Sequence, residues 1–366
     1  MRRVLIAGGG TGGHIFPAIA IARSLTARFH GCEVVMVGTA RGLETRLVPE
    51  AGFRLITIPV AGLRGKSLGA KARGLAMLPG ALAGALRITA SERPDVAVGV
   101  GGYASGPILA AAILRRIPTL IQDQNLAPGM TNRWLAPFVS EVAIAFDGAR
   151  RFLRGRGVVT GNPIRPEFAH VPPRPRGRPT RHLLVYGGSQ GSSAINAAMA
   201  EAAPRLGALR RALRVLHQTG AAGVDAMRAA YERAGIDADV RPFVVDMAGA
   251  MAGADLILAR SGGGVAEITA AGRGSILVPL PTAAHDHQTH NARALEEAGA
   301  AVVIAQRELT GERLADSLSR ILGDEGRLDA MAAAAKSLGR PDAADRIAAL
   351  IGGLASPGAT AAGAKA

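Results

Sequence analysis

The sequence predicts an α/β fold of two facing Rossmann-like domains with an interdomain cleft. Three observations carry this. Apolar runs too short for helices, such as Val4 to Ala7, Val34 to Val37 and Leu256 to Ala259, alternate with stretches of helical periodicity. The chain opens with strand, glycine loop, helix: Val4 to Ala7, then Gly8-Gly9-Gly10-Thr11-Gly12-Gly13-His14, then Pro17 to Ala27. The same order recurs at His182 to Tyr186, Gly187-Gly188-Ser189-Gln190-Gly191 and Ser192 to Leu206. Domains are expected at 1–162 and 163–340, with the Pro/Arg-rich stretch 171–179 as linker-like chain. A helix at 341–353 is expected to pack back on the first domain, and 354–366, rich in Gly and Ala, to be a disordered tail.

Composition narrows the function classes. The 366 residues are 48% hydrophobic but only 3% aromatic, so Ala, Val, Leu and Ile build the cores. One cysteine, Cys32, excludes an intrachain disulfide framework and cysteine zinc sites. The net charge of +15 suits nucleic acid, an anionic membrane or phosphorylated ligands. No helix-turn-helix, zinc-finger or RNA-binding aromatic pattern accompanies it, so nucleic acid is not an expected partner. The longest uncharged span, Val96 to Leu114, is broken by Gly99 to Pro107, which argues against a transmembrane segment. A cytosolic or peripheral protein is expected.

In the first half, the glycine loop precedes a helix whose free N–H groups favour an anion such as a diphosphate. Gly8, Gly10 and Gly13 spell G-x-G-x-x-G. The acidic residue that a dinucleotide site needs is missing where the next strand, Glu33 to Val37, ends in Gly38-Thr39. Arg41 would suit a 2′-phosphate, so an NADP-binding reading stays open. His14, set before a helix N-terminus, should favour its neutral form and so suits a general base. A histidine that caps the turn fits the same position. The stretch 60–91 holds no Asp or Glu. Lys66, Lys71 and Arg73 interleave with Leu68, Leu75, Leu78 and Leu82, a basic apolar surface suited to anionic lipid. A helix with its apolar side on the sheet is the alternative. Asn125 follows the strand Thr119 to Gln122, where it either reaches a sugar hydroxyl or caps a helix.

In the second half, three clusters follow predicted strands: Phe243 to Met247, Arg260 to Glu267 and Pro281 to Asn291. His285, His287 and His290 have poor spacing for a metal site. Asp237-Ala238-Asp239 spells D-x-D but lies in a turn-like position, where coincidence explains it better. No metal or other cofactor is expected.

With these residues in hand, the chain resembles the MurG family over Val4 to about Gly353. The resemblance rests on Gly9 to His14, Gly101 to Pro107, Gln124-Asn125, Gly161 to Arg165, Gly187 to Gly191 and Asp286-His287-Gln288. It implies the GT-B glycosyltransferase fold and an inverting transfer. GlcNAc moves from UDP-GlcNAc to the MurNAc 4-hydroxyl of lipid I, forming lipid II and UDP for peptidoglycan synthesis. The resemblance implies a donor site of Ser189, Gln190, Arg165, Val244, Glu267 and Gln288. It implies an acceptor site of Thr11, Gly12 and Gly13, His14 as base, and Asn125 reaching donor sugar or acceptor. It also implies a peripheral enzyme on the cytoplasmic face of the bacterial inner membrane. One departure stands out. The family usually has Arg-Ser-Gly-Ala, one further residue, then Thr before Val-x-Glu. Here Gly262-Gly263-Gly264 runs directly into Val265.

Overall fold

The computed structural model describes residues 1–10, 12–40, 42–59, 78–283 and 286–356. Two compact units divide the chain: Met1–Arg165 with Pro341–Ala366, and Pro166–Arg340. The stretch with Lys66, Leu68, Lys71, Arg73 and Leu75 lies outside the described residues, as do Thr11, Arg41 and His285.

In the first unit, β1 (Arg3–Ala7) leads to α1 (Gly12–Arg28), β2 (Glu33–Gly38), α2 (Glu44–Glu50) and β3 (Arg54–Thr57). Then follow α3 (Leu78–Glu92), β4 (Val96–Gly99), α4 (Ser105–Leu114), β5 (Thr119–Asp123), α5 (Met130–Leu135), β6 (Glu141–Ile144) and β7 (Val158–Val159). The strands form one parallel sheet in the order β3-β2-β1-β4-β5-β6-β7. A parallel sheet is covered on both faces, so its strands read as unbroken apolar runs. The pleat of β1 shows this. Val4 and Ile6 join one apolar cluster with Ile15, Ile21 and Leu25 of α1. Leu5 and Ala7 join another with Ala85, Ile108 and Ala111 of α3 and α4. Leu82, expected to face lipid, is half-buried and packs against this second cluster. Its helical spacing reflects the sheet beneath it.

The second unit runs β8 (Arg181–Tyr186), α6 (Ser193–Ala202), β9 (Leu213–Gln218), α7 (Val224–Ala234), β10 (Asp237–Arg241), α8 (Met247–Gly253) and β11 (Leu256–Ala259). It continues with α9 (Val265–Ala270), β12 (Gly274–Leu277), α10 (His287–Glu297), β13 (Ala301–Val303), α11 (Gly311–Leu322) and α12 (Glu325–Leu338). Its parallel sheet has the order β10-β9-β8-β11-β12-β13. The D-x-D aspartates lie within edge strand β10, where Asp239 pairs with Arg241 and Asp237 with Arg214. They are therefore spent on surface ion pairs.

The last helix, α13 (Ala343–Ala355), belongs to the first unit and packs on α1. Ile347, Ala348 and Ile351 enter the cluster below α1, and the Ser24 hydroxyl donates to Asp345 at 2.5 Å. The phenyl ring of Phe29 lies so close to Gly352 that a Cβ there would sit 2.4 Å from it. Helix continues through Ala355, so residues 354 and 355, expected in the tail, belong to α13, and 357–366 lie outside the described residues.

The Pro/Arg-rich stretch is not a free linker. Arg174 is buried there and donates to Asp255 at 2.8 Å and Asp329 at 2.6 Å, with Glu325 as a third partner. Burial alone would push the guanidinium pKa down, but these carboxylates carry it above its usual range. Asp255 is fully buried and also accepts from the His182 N–H. Removing the cation strands a buried carboxylate. Arg174→Ala is therefore expected to destabilise the second unit by about 3–5 kcal/mol, read as the loss of its denaturation midpoint. Hydrogen bonds from Arg174 hold Glu325 and Asp329 below the ordinary carboxylate range. Depressed folded pKa values mean stability that is full above about pH 5 and lost as pH falls through them. The acid limb of the stability profile should flatten in Arg174→Ala.

Candidate functional site

Each sheet reverses its strand order once, between β1 and β4 in the first unit and between β8 and β11 in the second. Open α/β sheets bind ligands outside the carboxyl ends of strands at such points. Both glycine loops lie there, because each leaves a strand, β1 or β8, that flanks the reversal.

In the first unit the loops after β1 and β4 touch backbone to backbone. A Cβ on Gly102 would lie 2.3 Å from the Gly9 carbonyl oxygen, and Gly102 has φ +82°. The α1 helix starts at Gly12, five residues before the expected start. His14 therefore sits in the first turn of α1 and not ahead of it. Pro17 lies inside the helix, where it leaves the i−4 carbonyl without its usual donor. The half-buried His14 ring packs on Gly101: a Cβ there would lie 2.6 Å from Cδ2 and 2.8 Å from Nε2. Gly101 also has φ +95°. Gly12 and Gly13 form the helix start beside it. Arg165 ends this unit, with its guanidinium 5.3 Å from the centroid of Phe16 in α1.

A group that the sequence reading missed organises the first loop. Glu44 is 1% exposed and accepts from the Gly10 N–H at 3.0 Å. Its other oxygen accepts from the Thr39 N–H at 2.8 Å and the Thr39 hydroxyl at 2.7 Å. Burial pushes its pKa up, but the Gly10 and Thr39 donors outweigh it and hold the carboxyl below its usual range. The carboxylate sought at the end of β2 is thus present further on, five residues past Thr39, and it binds the loop itself. The Gly10 N–H is taken by the chain's own carboxylate, which weighs against the NADP reading of the G-x-G-x-x-G pattern. The signal was in the sequence as an acidic residue beside Gly42 just after β2.

Asn125 does not cap a helix; Gly129 occupies the N-cap of α5. Instead the Asn125 N–H donates to Asp123 Oδ1 at 2.9 Å, and its side-chain amide lies 3.5 Å from the same atom. Asp123 Oδ2 accepts from Gly129 N–H at 3.1 Å and Asn132 Nδ2 at 2.8 Å. Burial raises the Asp123 pKa, and these donors offset only part of the effect. Asp123 thereby shapes the turn that carries Asn125. Asn162 of the Gly161-Asn162-Pro163 motif accepts from Gln122 of β5 at 3.2 Å.

In the second unit, Gly188, Ser189 and Gln190 are exposed at the end of β8. Ser192 caps α6, its hydroxyl accepting from Ile195 N–H. Arg260 reaches that hydroxyl at 2.8 Å and also donates to Gln306 Oε1 at 2.7 Å, tying the β8 and β11 loops together. Val244 is buried, and its N–H donates to Gln218 Oε1 at 2.8 Å. Gln288 lies in the first turn of α10, not in the loop before it. Its Oε1 accepts from Leu280 N–H at 3.0 Å, and its carbonyl from the Ser261 hydroxyl at 2.8 Å. Glu267 is half-buried on the short helix α9. The second unit therefore gathers Ser189, Gln190, Val244, Glu267 and Gln288 on loops and helix starts along the carboxyl ends of its strands. Among the described residues, no group of three His, Cys, Asp or Glu side chains could hold a metal ion.

Two parallel sheets, each with a glycine loop at its switch point, give the chain the doubly Rossmann-like architecture of the GT-B fold. The glycosyltransferase family 28 N-terminal domain matches residues 4–144, and the family 28 C-terminal domain matches residues 182–347. A protein of Anaeromyxobacter sp. (strain Fw109-5) is 49% identical over 94% of this chain and 92% of its own length. It is named UDP-N-acetylglucosamine--N-acetylmuramyl-(pentapeptide) pyrophosphoryl-undecaprenol N-acetylglucosamine transferase. A protein of Myxococcus xanthus with the same name is 46% identical over 95% of this chain and 92% of its own. The crystal structure of Acinetobacter baumannii MurG is similar with a TM-score of 0.79 and 33% identity, covering 96% of this chain and 99% of that one. The chain belongs to the MurG family of glycosyltransferases.

The Glu44 clamp is open to a direct check. Glu44→Ala leaves buried loop donors unsatisfied, and the first unit should lose about 2–4 kcal/mol in chemical denaturation. Glu44→Gln keeps an acceptor for Thr39 but none for Gly10, so an intermediate loss is expected.

Proposed function

We propose that this chain transfers GlcNAc from UDP-GlcNAc to the MurNAc 4-hydroxyl of lipid I, releasing UDP and forming lipid II. The end-to-end match to a transferase of that name, at 49% identity over 94% of the chain, carries the reading. The exposed Ser189 and Gln190 before α6 support a donor diphosphate on the second unit, where helix N–H groups favour an anion. Val244 takes the uridine end, Glu267 the ribose hydroxyls and Gln288 the GlcNAc hydroxyls. Arg165 joins Val244 at the uridine end. The first unit takes the acceptor, with Thr11, Gly12 and Gly13 facing its pyrophosphate and Asn125 its sugar or the donor's.

Inversion is a single displacement. The acceptor oxygen bonds to the anomeric carbon as the bond to UDP breaks, and the diphosphate leaves with the electron pair. His14 takes the hydroxyl proton. The close seat of its ring on Gly101 supports this role, because a fixed imidazole loses little freedom on reaching the attacking geometry.

The acceptor carries a lipid, and no helix among the described residues is long and apolar enough to cross a membrane. Peripheral contact at the cytoplasmic face of the inner membrane fits both. The basic stretch with Lys66 to Arg73 lies outside the described residues; among the described ones, the first unit exposes an apolar and basic surface. Trp134 is 71% exposed on α5, with exposed Met130 and Arg133 before it, and Phe138, just past the helix, is 68% exposed. The neighbouring helix α4 ends in exposed Leu114, followed by Arg115 and Arg116.

UDP release from UDP-GlcNAc should depend on a short-chain lipid I analogue; release that ignores the acceptor would refute the transferase reading. His14→Ala should lower turnover by ~10²–10⁴-fold while UDP-GlcNAc affinity stays within about twofold. Near-normal turnover would remove His14 from the base role. Trp134→Glu with Phe138→Glu should weaken binding to anionic vesicles and leave turnover on the short-chain acceptor unchanged. Equal vesicle binding would place membrane contact elsewhere.

A further inference from the structure

Gln218, the last residue of β9, is 2% exposed and uses both ends of its amide. Nε2 donates to the Gly188 carbonyl at 2.8 Å, and Oε1 accepts from the Val244 N–H at 2.8 Å. Gly188 belongs to the exposed loop with Ser189 and Gln190. Val244 belongs to the segment after β10. One rigid amide therefore joins two loops that leave different strands.

The backbone around Gln218 has no slack. A Cβ on Gly191 would lie 1.9 Å from the Thr219 carbonyl oxygen, and one on Gly220 would lie 2.2 Å from that of Gln190. The Thr219 N–H donates to Arg241 at the end of β10 at 3.0 Å. Behind the strand, His217 is buried between the Tyr231 hydroxyl at 2.8 Å and Asn196 Oδ1 at 3.1 Å. Burial pushes this imidazole down to about 3, so it is a neutral brace. Asn196 in turn donates to the Thr219 carbonyl at 3.0 Å. With its own backbone held on both sides, a shift of Gly188 is passed through the Gln218 amide to Val244, and the reverse.

We infer that Gln218 is a positioning residue that couples the diphosphate loop to the uridine segment, so that filling one end of the nucleotide orders the other. The inference rests on the donor reading of the second unit. Only a carboxamide of this length both donates and accepts along this line. An ionised glutamate has the same shape and still accepts from Val244, but it cannot donate to Gly188 and sets a negative oxygen against that carbonyl. Leucine does neither.

The test compares the dissociation constants of uridine and of UDP, by calorimetry or ligand-observed NMR, for the full chain and for Gln218→Glu and Gln218→Leu. The readout is the ratio of the two constants, which measures what the diphosphate adds once the base is bound. In Gln218→Glu this ratio should fall about tenfold, mostly through weaker UDP, a size usual for coupled sites. The KM for UDP-GlcNAc should rise by a similar factor. A residue that merely fills the core would lower the melting temperature and weaken both ligands alike. An unchanged ratio in the folded variants overturns the coupling. If the buried carboxylate prevents folding, Gln218→Leu decides by the same ratio. Failure of the unsubstituted chain to bind UDP overturns the donor reading and the coupling together, whereas normal UDP binding with an unchanged ratio overturns the coupling alone.

Discussion

A tight glycine loop exposes more backbone N–H and C=O groups than it can pair within itself, and buried unpaired groups are costly. The loops at both switch points are shaped by how this demand is met. In the first unit a carboxylate from α2 meets it: Glu44 binds Gly10 and Thr39 from inside. In the second unit a carboxamide from β9 meets it: Gln218 binds Gly188 and Val244. Both side chains are buried, so their partners are held at fixed positions and not by mobile water.

The two units share topology but leave different groups for a ligand. The first loop already contains an anion, its own Glu44, and presents the start of α1 with His14 seated on Gly101. The second keeps Ser189 and Gln190 exposed before the start of α6, with Arg260 bracing the helix cap. Two buried arginines stiffen the second unit. Arg174 pairs with three carboxylates, while Arg273 donates to five backbone carbonyls, among them those of Met251, Ala252 and Pro172. Burial pushes Arg273 down to about 10, still far above neutrality, so the charge is kept.

Much of the architecture was legible in the chain. Parallel strands buried on both faces must be apolar throughout, and Val4 to Ala7 and Leu256 to Ala259 could hardly be read otherwise. Glycines at Gly8 to Gly13 and Gly187 to Gly191 marked both loops, because close backbone approach excludes a Cβ. Helix starts were less legible. Pro17 suggested a beginning that α1 makes at Gly12, and the helix carries the proline inside it, one backbone hydrogen bond short. Leu82 was read as a lipid-facing residue, because periodicity reports an apolar side without saying what covers it.

The sequence by itself determined the two-sheet fold, the glycine loops and the family motifs, because these rest on local periodicity and on residues with special backbone freedom. Only the tertiary structure decided which polar side chain answers each loop. Glu44 lies 34 residues from Gly10, and Gln218 lies 30 residues from Gly188. No local pattern connects such pairs. They meet because parallel strands place the ends of separate segments side by side, and the hydrogen bond exists only once the sheet has formed.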